Sequence, residues 1–122
     1  MKFNSQITFF GVADIHRTAQ FYEKVLGLEL VVDQGTCRIY RSAGNAYVGF
    51  CEHLEQEAKE GLILTFVTDK VDEWFSRLKE QDLAVDKEPA HNEKYGIYHC
   101  FVRDPDGYRI EIQRFDDLNW NK

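Results

Sequence analysis

Asp104-Pro-Asp-Gly107, set between Tyr98-His-Cys-Phe-Val102 and Tyr108-Arg-Ile-Glu-Ile112, spells a strand, a tight turn and a returning strand. Proline presets its own dihedral and glycine tolerates positive φ, so the tetrapeptide is sound turn chemistry. In the returning strand Tyr108, Ile110 and Ile112 alternate with Arg109, Glu111 and Gln113. One face is therefore apolar and the other charged, which suits helices packed on one side and a site built on the other. Taken alone, the stretch establishes a hairpin.

Working outward, one pattern occurs twice. Ile7 to Val12 is a β-rich run ending at Val12-Ala-Asp14, where Asp14 can cap a helix with Ile15, Ala19, Tyr22 and Leu26 on one face and Gly27 as its stop. Leu62 to Val67 is a second apolar run, ending at Val67-Thr-Asp69 and followed by Val71, Trp74, Phe75 and Leu78 at helical spacing. Asp69 takes the capping role there. Strands are expected at Leu28–Val32, Thr36–Arg41 and Ala46–Cys51 in the first half. In the second they are Leu83–Lys87, Ile97–Arg103 and Tyr108–Gln113. The chain of 122 residues thus reads as one domain of two βαβββ modules, about 5–53 and 61–115. A polar connector, His53–Gly61, joins them, and Pro89–Gly96 reads as a polar loop, either a functional lid or a mobile segment.

Composition narrows the function. Hydrophobic residues at 43% and aromatics at 14% suffice for a buried interior. A formal net charge of -6, without a Lys/Arg cluster, disfavours nucleic acid and anionic membranes, leaving a small molecule as the expected partner. The N-terminus lacks the pattern of a signal peptide and no run reaches transmembrane length, so a cytoplasmic location is the default. Cys37, Cys51 and Cys100 are odd in number and have no CxxC spacing, which argues against a disulfide framework and a structural zinc site. Reduced, half-buried strand residues are expected; a nucleophilic Cys51 or Cys100 is the sharper alternative.

Phe21-Tyr-Glu-Lys-Val-Leu-Gly-Leu28 and Phe101-Val-Arg-Asp-Pro-Asp-Gly-Tyr-Arg-Ile-Glu111 resemble the vicinal oxygen chelate superfamily, which includes glyoxalase I, bleomycin-resistance proteins and extradiol dioxygenases. The resemblance spans essentially the whole chain. It implies an α+β fold whose strands curl into a half-open barrel around a cavity, with helices on the outer face. In the metalloenzyme members, four strand residues hold a divalent metal that chelates substrate oxygens. Carried over one at a time, those positions fall at Ile7, near Gly49, at Leu62 and at Glu111. Isoleucine, glycine and leucine have no ligating side chain, so no metal and no other cofactor is expected. A one-residue slip to Gln6 would turn Ile7 and Phe9 to the wrong face. A relocated site of Cys51, His99 and Glu111 is the metal-dependent alternative; otherwise Glu111 pairs with Arg109, Arg103 or Arg38.

By alternation the cavity would be lined by Ile7, Phe9, Gly11, Tyr47, Gly49, Cys51, Leu62, Leu64 and Phe66. His99, Phe101, Arg109, Glu111 and Gln113 would form its polar edge. The expected function is small-molecule binding through Phe9, Tyr47, Cys51, Leu64, Phe66, Phe101, Arg109 and Gln113. The alternative is a glyoxalase-like lyase or isomerase with Glu111 and His99 as catalytic residues. His16, His53 and His91 read as solvated, Asp104 and Asp106 as turn residues, and Glu55, Glu57, Glu60 and Asp116-Asp117 as solvated faces. Trp120 is placed to fold back onto a surface or a partner. A homodimer through sheet edges beside Ala46–Cys51 is expected, as in related folds.

Overall fold

A computed structural model describes residues 1–56 and 59–120. Glu57, expected in the acidic connector, and Asn121 and Lys122 of the tail lie outside the described residues. The chain divides into two compact units, Met1–Glu57 and Ala58–Lys122. Each carries a four-stranded mixed sheet of one topology.

The first unit contains β1 (Gln6–Gly11), α1 (Ile15–Ala19) running into a π-helical segment (Gln20–Val25), β2 (Glu29–Asp33), β3 (Cys37–Ala43) and β4 (Ala46–Cys51). Its strand order is β1-β4-β3-β2, with β1 parallel to β4 and the other pairs antiparallel. Asp14 caps α1 by accepting from the backbone N–H of His16 and Arg17, and Glu52 reaches back to accept from Ile15 N at 2.9 Å. The helix ends at Gly27, whose φ of 72° is glycine territory. Ile15, Ala19, Tyr22 and Leu26 are all buried, as their spacing predicts. Tyr22 stacks on Phe50 at 4.3 Å between centroids, and Phe50 in turn lies 6.0 Å from Phe10, so the helix-facing core is aromatic.

The second unit repeats the plan: β5 (Ile63–Val67), α2 (Val71–Lys79), β6 (Val85–Asn92), β7 (Ile97–Arg103) and β8 (Arg109–Phe115), in the order β5-β8-β7-β6. Val71, Phe75 and Leu78 of α2 are buried, as are Cys100, Val102, Ile110 and Ile112 on the sheet. The turn at 104–107 closes as its sequence predicts. Asp104 Oδ1 accepts from Asp106 N and Tyr108 N, each at 2.9 Å, and Gly107 takes φ 91°.

Several expectations are corrected. Asp69 is not the α2 cap: Lys70 occupies that position, and Thr68 Oγ1 accepts from its N–H. Pro89–Asn92 is strand rather than loop, because β6 is an edge strand and a register shift between Lys87 and Ala90 accommodates a proline that cannot donate. Cys37 and Cys51 are not reduced thiols but a disulfide. They are direct partners across β3 and β4, and Glu52 N donating to Thr36 O marks this as the narrow, non-hydrogen-bonded type of pair, with Cα atoms 4.1 Å apart. Ala46–Cys51 is itself an inner strand, and the edge expected beside it is β1; the other edge of the sheet is β2. Trp120 does fold back, stacking on Phe115 at 4.5 Å. No helix among the described residues is long and apolar enough to cross a membrane.

Candidate functional site

On the second sheet, register decides which residues share the face opposite α2. Thr65 pairs with Glu111, Phe101 with Glu111 and His99 with Gln113, so these five point one way. Leu64 pairs with Ile110 and Phe66 with Ile112, both core positions. Leu64 and Phe66 therefore lie on the helix side, contrary to the expectation that they join Glu111. Ile63, Thr65 and Val67 take that face instead.

Glu111 is the centre of a buried polar cluster. It is 8% exposed, with His99 at 4% and Gln113 at 7%, so an uncompensated carboxylate here would be costly. Three neighbours compensate it. Thr65 Oγ1 donates to Oε1 at 2.8 Å, and His99 Nδ1 lies 2.6 Å from Oε2. With the Gln113 amide turned so that its nitrogen faces the carboxylate, it donates to Oε1 and Oε2 at 3.0 and 2.8 Å. The arginines expected to pair with Glu111 are engaged elsewhere. Arg103 and Arg109 bridge Glu60 and Asp86, and Arg38 meets Glu23 and Asp33. Arg109 also lies over the Phe101 ring at 5.5 Å, and Phe101 presents an edge-on contact to His99 at 5.0 Å.

One atom of the cluster has no hydrogen-bond partner among the described residues: His99 Nε2, which is buried. Because Nδ1 faces a carboxylate, a neutral ring carries its proton there and leaves Nε2 as a bare acceptor; a doubly protonated ring makes Nε2 a donor. Either way the imidazole is oriented by Glu111, and its second nitrogen stays buried without a hydrogen-bond partner. An orienting carboxylate behind an imidazole is also the arrangement of a general base.

The first sheet has no counterpart. Phe9 pairs with Gly49 and Ile7 with Tyr47 on the face away from α1. A Cβ at Gly49 would stand 2.4 Å from the Phe9 ring, so that ring occupies the space a side chain at 49 would need. Ile7 and Phe9 are exposed at 39% and 45%. Matching the two sheets by register, Gly49 corresponds to Glu111, Phe9 to Thr65 and Ile7 to Ile63. The position carried over to Leu62 thus belongs to Ile63, also aliphatic. Donor groups for a divalent ion are missing at three of the four positions, and the oxygens of the fourth are already taken up by Thr65, His99 and Gln113. These residues do not fit the family metal.

Cys51, expected in a ligand site or a relocated metal site, is bonded to Cys37, and His53 Nδ1 lies 3.6 Å from Cys37 Sγ. His53 is exposed, as expected, but its neighbour Cys37 is not legible from its place in a polar loop. Gly11 is required by the chain that follows β4: a Cβ there would meet the carbonyl oxygens of Leu54 and Glu55 at 2.4 and 2.5 Å. His16 is exposed in the first turn of α1, and His91, on β6, lies 4.8 Å from the Tyr98 ring. An open depression of about 520 Å³ is lined by Phe3, Asn4, Ser5 and Gln6, which carry none of this chemistry.

Two sheets of one topology, each a βαβββ module, and a lone carboxylate at the end of the second module define a class before any comparison. Residues 6–112 match the Glyoxalase/Bleomycin resistance protein/Dioxygenase superfamily, and the chain belongs to it. Among solved structures it is similar to an integron cassette protein from the mobile metagenome of V. cholerae. The two share 26% identity with a TM-score of 0.70, covering 94% of this chain and 98% of that one. It is also similar in fold to a lactoylglutathione lyase from Agrobacterium tumefaciens, at 22% identity, TM-score 0.72 and coverage of 94% and 96%. A superfamily member from Sphaerobacter thermophilus aligns at 20% identity, TM-score 0.77 and coverage of 93% and 98%. No curated protein sequence matches.

Proposed function

We propose that this protein binds a small organic molecule without a metal ion, through the face of its second sheet opposite α2. The observation that carries this reading is the unpartnered Nε2 of His99, held in a buried cluster by Glu111. A buried polar atom without a partner costs free energy that a ligand hydroxyl, amine or carbonyl recovers. Phe101 supplies an aromatic wall beside it, and Gln113 and Arg109 are the adjacent polar groups. Phe9 and Tyr47 form the corresponding aromatic surface of the first unit. The loss of ligating side chains at Ile7, Gly49 and Ile63 supports metal independence.

The test is a screen of small aromatic alcohols, amines and carbonyl compounds by ligand-observed NMR, using protein freed of metal and kept in excess chelator. Binding is expected in chelator and is expected to fall about fivefold to tenfold in His99→Phe, the worth of one hydrogen bond. Binders that appear only when a divalent ion is added, or that ignore His99→Phe, would sink the proposal.

The 2.6 Å contact of His99 with Glu111 favours one second reading, a glyoxalase-like lyase or isomerase. In it His99 Nε2 removes a proton beside a substrate carbonyl and Glu111 orients the ring. Turnover of a discovered substrate that survives Glu111→Gln at full rate would exclude that role.

A further inference from the structure

We propose that Cys37, Cys51 and His53 form a redox-gated site for a thiophilic cation, closed as the disulfide and open as the dithiol. It lies at the end of the first sheet and is independent of the His99 cluster. The Sγ atoms of both cysteines and a ring nitrogen of His53 all lie within 4.8 Å of one another. His53 Nδ1 stands 3.6 Å from Cys37 Sγ, against about 3.5 Å between a thiolate and an imidazole on one tetrahedral zinc, given bonds of ~2.3 and ~2.05 Å. That edge of the tetrahedron is already built. The two sulfurs need only part to about 3.8 Å, the span of two thiolates on one zinc.

The backbone favours such a site. Cys37 and Cys51 are fixed opposite each other by the β3–β4 ladder, so their reduced thiols stay adjacent. Both are buried, at 7% and 3% exposure, while His53 is exposed and leaves a way in. The neighbouring Glu52 carboxylate is committed to Ile15 N. Two soft sulfurs and one imidazole select zinc or monovalent copper over magnesium or calcium, with the fourth position left to water.

The chemistry balances with a dithiol reductant. Two electrons and two protons pass from it to the Cys37–Cys51 bond, giving two thiols and the reductant's own disulfide. Binding of Zn²⁺ then replaces both thiol protons, which leave to solvent, while His53 contributes a neutral nitrogen.

The experiment is an anaerobic titration with Co²⁺, a coloured substitute for zinc, of protein reduced by dithiothreitol and then freed of it. One equivalent is expected to give sulfur-to-cobalt charge-transfer absorption that Zn²⁺ abolishes, and unreduced protein is expected to give none. Cys51→Ser removes the band and Cys100→Ala keeps it. His53→Ala, an exposed change that leaves the fold intact, weakens cobalt binding at least about tenfold. Reduced wild-type protein without the band would overturn the site. So would a band that persists in Cys51→Ser, disappears in folded Cys100→Ala, or titrates unchanged in His53→Ala.

Discussion

The ring of Phe9 lies directly over the Cα of Gly49, its register partner on the neighbouring strand, at 2.4 Å from where a Cβ would stand. Gly49→Ala must therefore displace that ring. Phe9 is half exposed and can swing outward, so a loss of about 1 kcal/mol is expected, at the low end for overpacking. In a Phe9→Ala background the same change becomes nearly neutral. Chemical denaturation of the four proteins of this cycle measures the coupling.

Glu111 holds three side-chain donors at once, so truncation strands all of them. Glu111→Ala is expected to cost about 2–4 kcal/mol, whereas Thr65→Val, which removes one donor at a more open position, costs about 1 kcal/mol. Urea unfolding distinguishes the two. Equal losses would mean the cluster does not act as a network.

Asp14 and Asp69 occupy equivalent places in the repeat but only Asp14 caps a helix. Asp14→Ala is expected to destabilise by about 1 kcal/mol, and Asp69→Ala by less than about 0.5 kcal/mol. Thermal melts of both variants check the asymmetry.

Burial pushes the Cys100 thiol up to about 11 from 9.0. The folded state thus resists losing this proton while the unfolded chain releases it near pH 9. Any stability held through the neutral thiol is intact below pH 9 and is lost as pH rises towards 11. Tyr40, buried and hydrogen-bonded to Glu23, is shifted in the same direction. Unfolding midpoints are expected to fall across that window, less steeply in Cys100→Ala. A slope unchanged by Cys100→Ala would contradict the assignment.

Native, unreduced protein is expected to take up no iodoacetamide, since two sulfurs are bonded to each other and Cys100 is fully buried. Denaturation without reduction should label one thiol, Cys100, and denaturation after reduction all three. Mass spectrometry counts the labels.

Much of this was legible in residue order, and the exceptions have physical causes. The repeated strand and helix, the Gly27 stop and the 104–107 turn rest on local chemistry, and the structure has them where the residues place them. The face of β5 was not readable, because Leu62, Ile63, Leu64, Phe66 and Val67 form a nearly continuous apolar run without alternation. Its single polar residue, Thr65, is the one usable signal of the Glu111 face, against the expected Leu62, Leu64 and Phe66. The disulfide was hidden by counting cysteines. It depends on cross-strand register, and the usable clue was that Cys37 and Cys51 are equidistant in sequence from Gly44 in the β3–β4 turn. Residue order joins His99 to Glu111 only in the metal-dependent and catalytic alternatives, because the competing arginines depend on where Glu60, Asp86, Glu23 and Asp33 lie.

The most direct test of metal independence is a calorimetric titration of tag-free, unreduced protein with Zn²⁺, Ni²⁺ and Mn²⁺, alongside Glu111→Gln. With the Cys37–Cys51 bond intact, no stoichiometric uptake that depends on Glu111 is predicted. A tightly bound equivalent of any of these ions that disappears in Glu111→Gln would contradict the account and restore a metal to the second sheet.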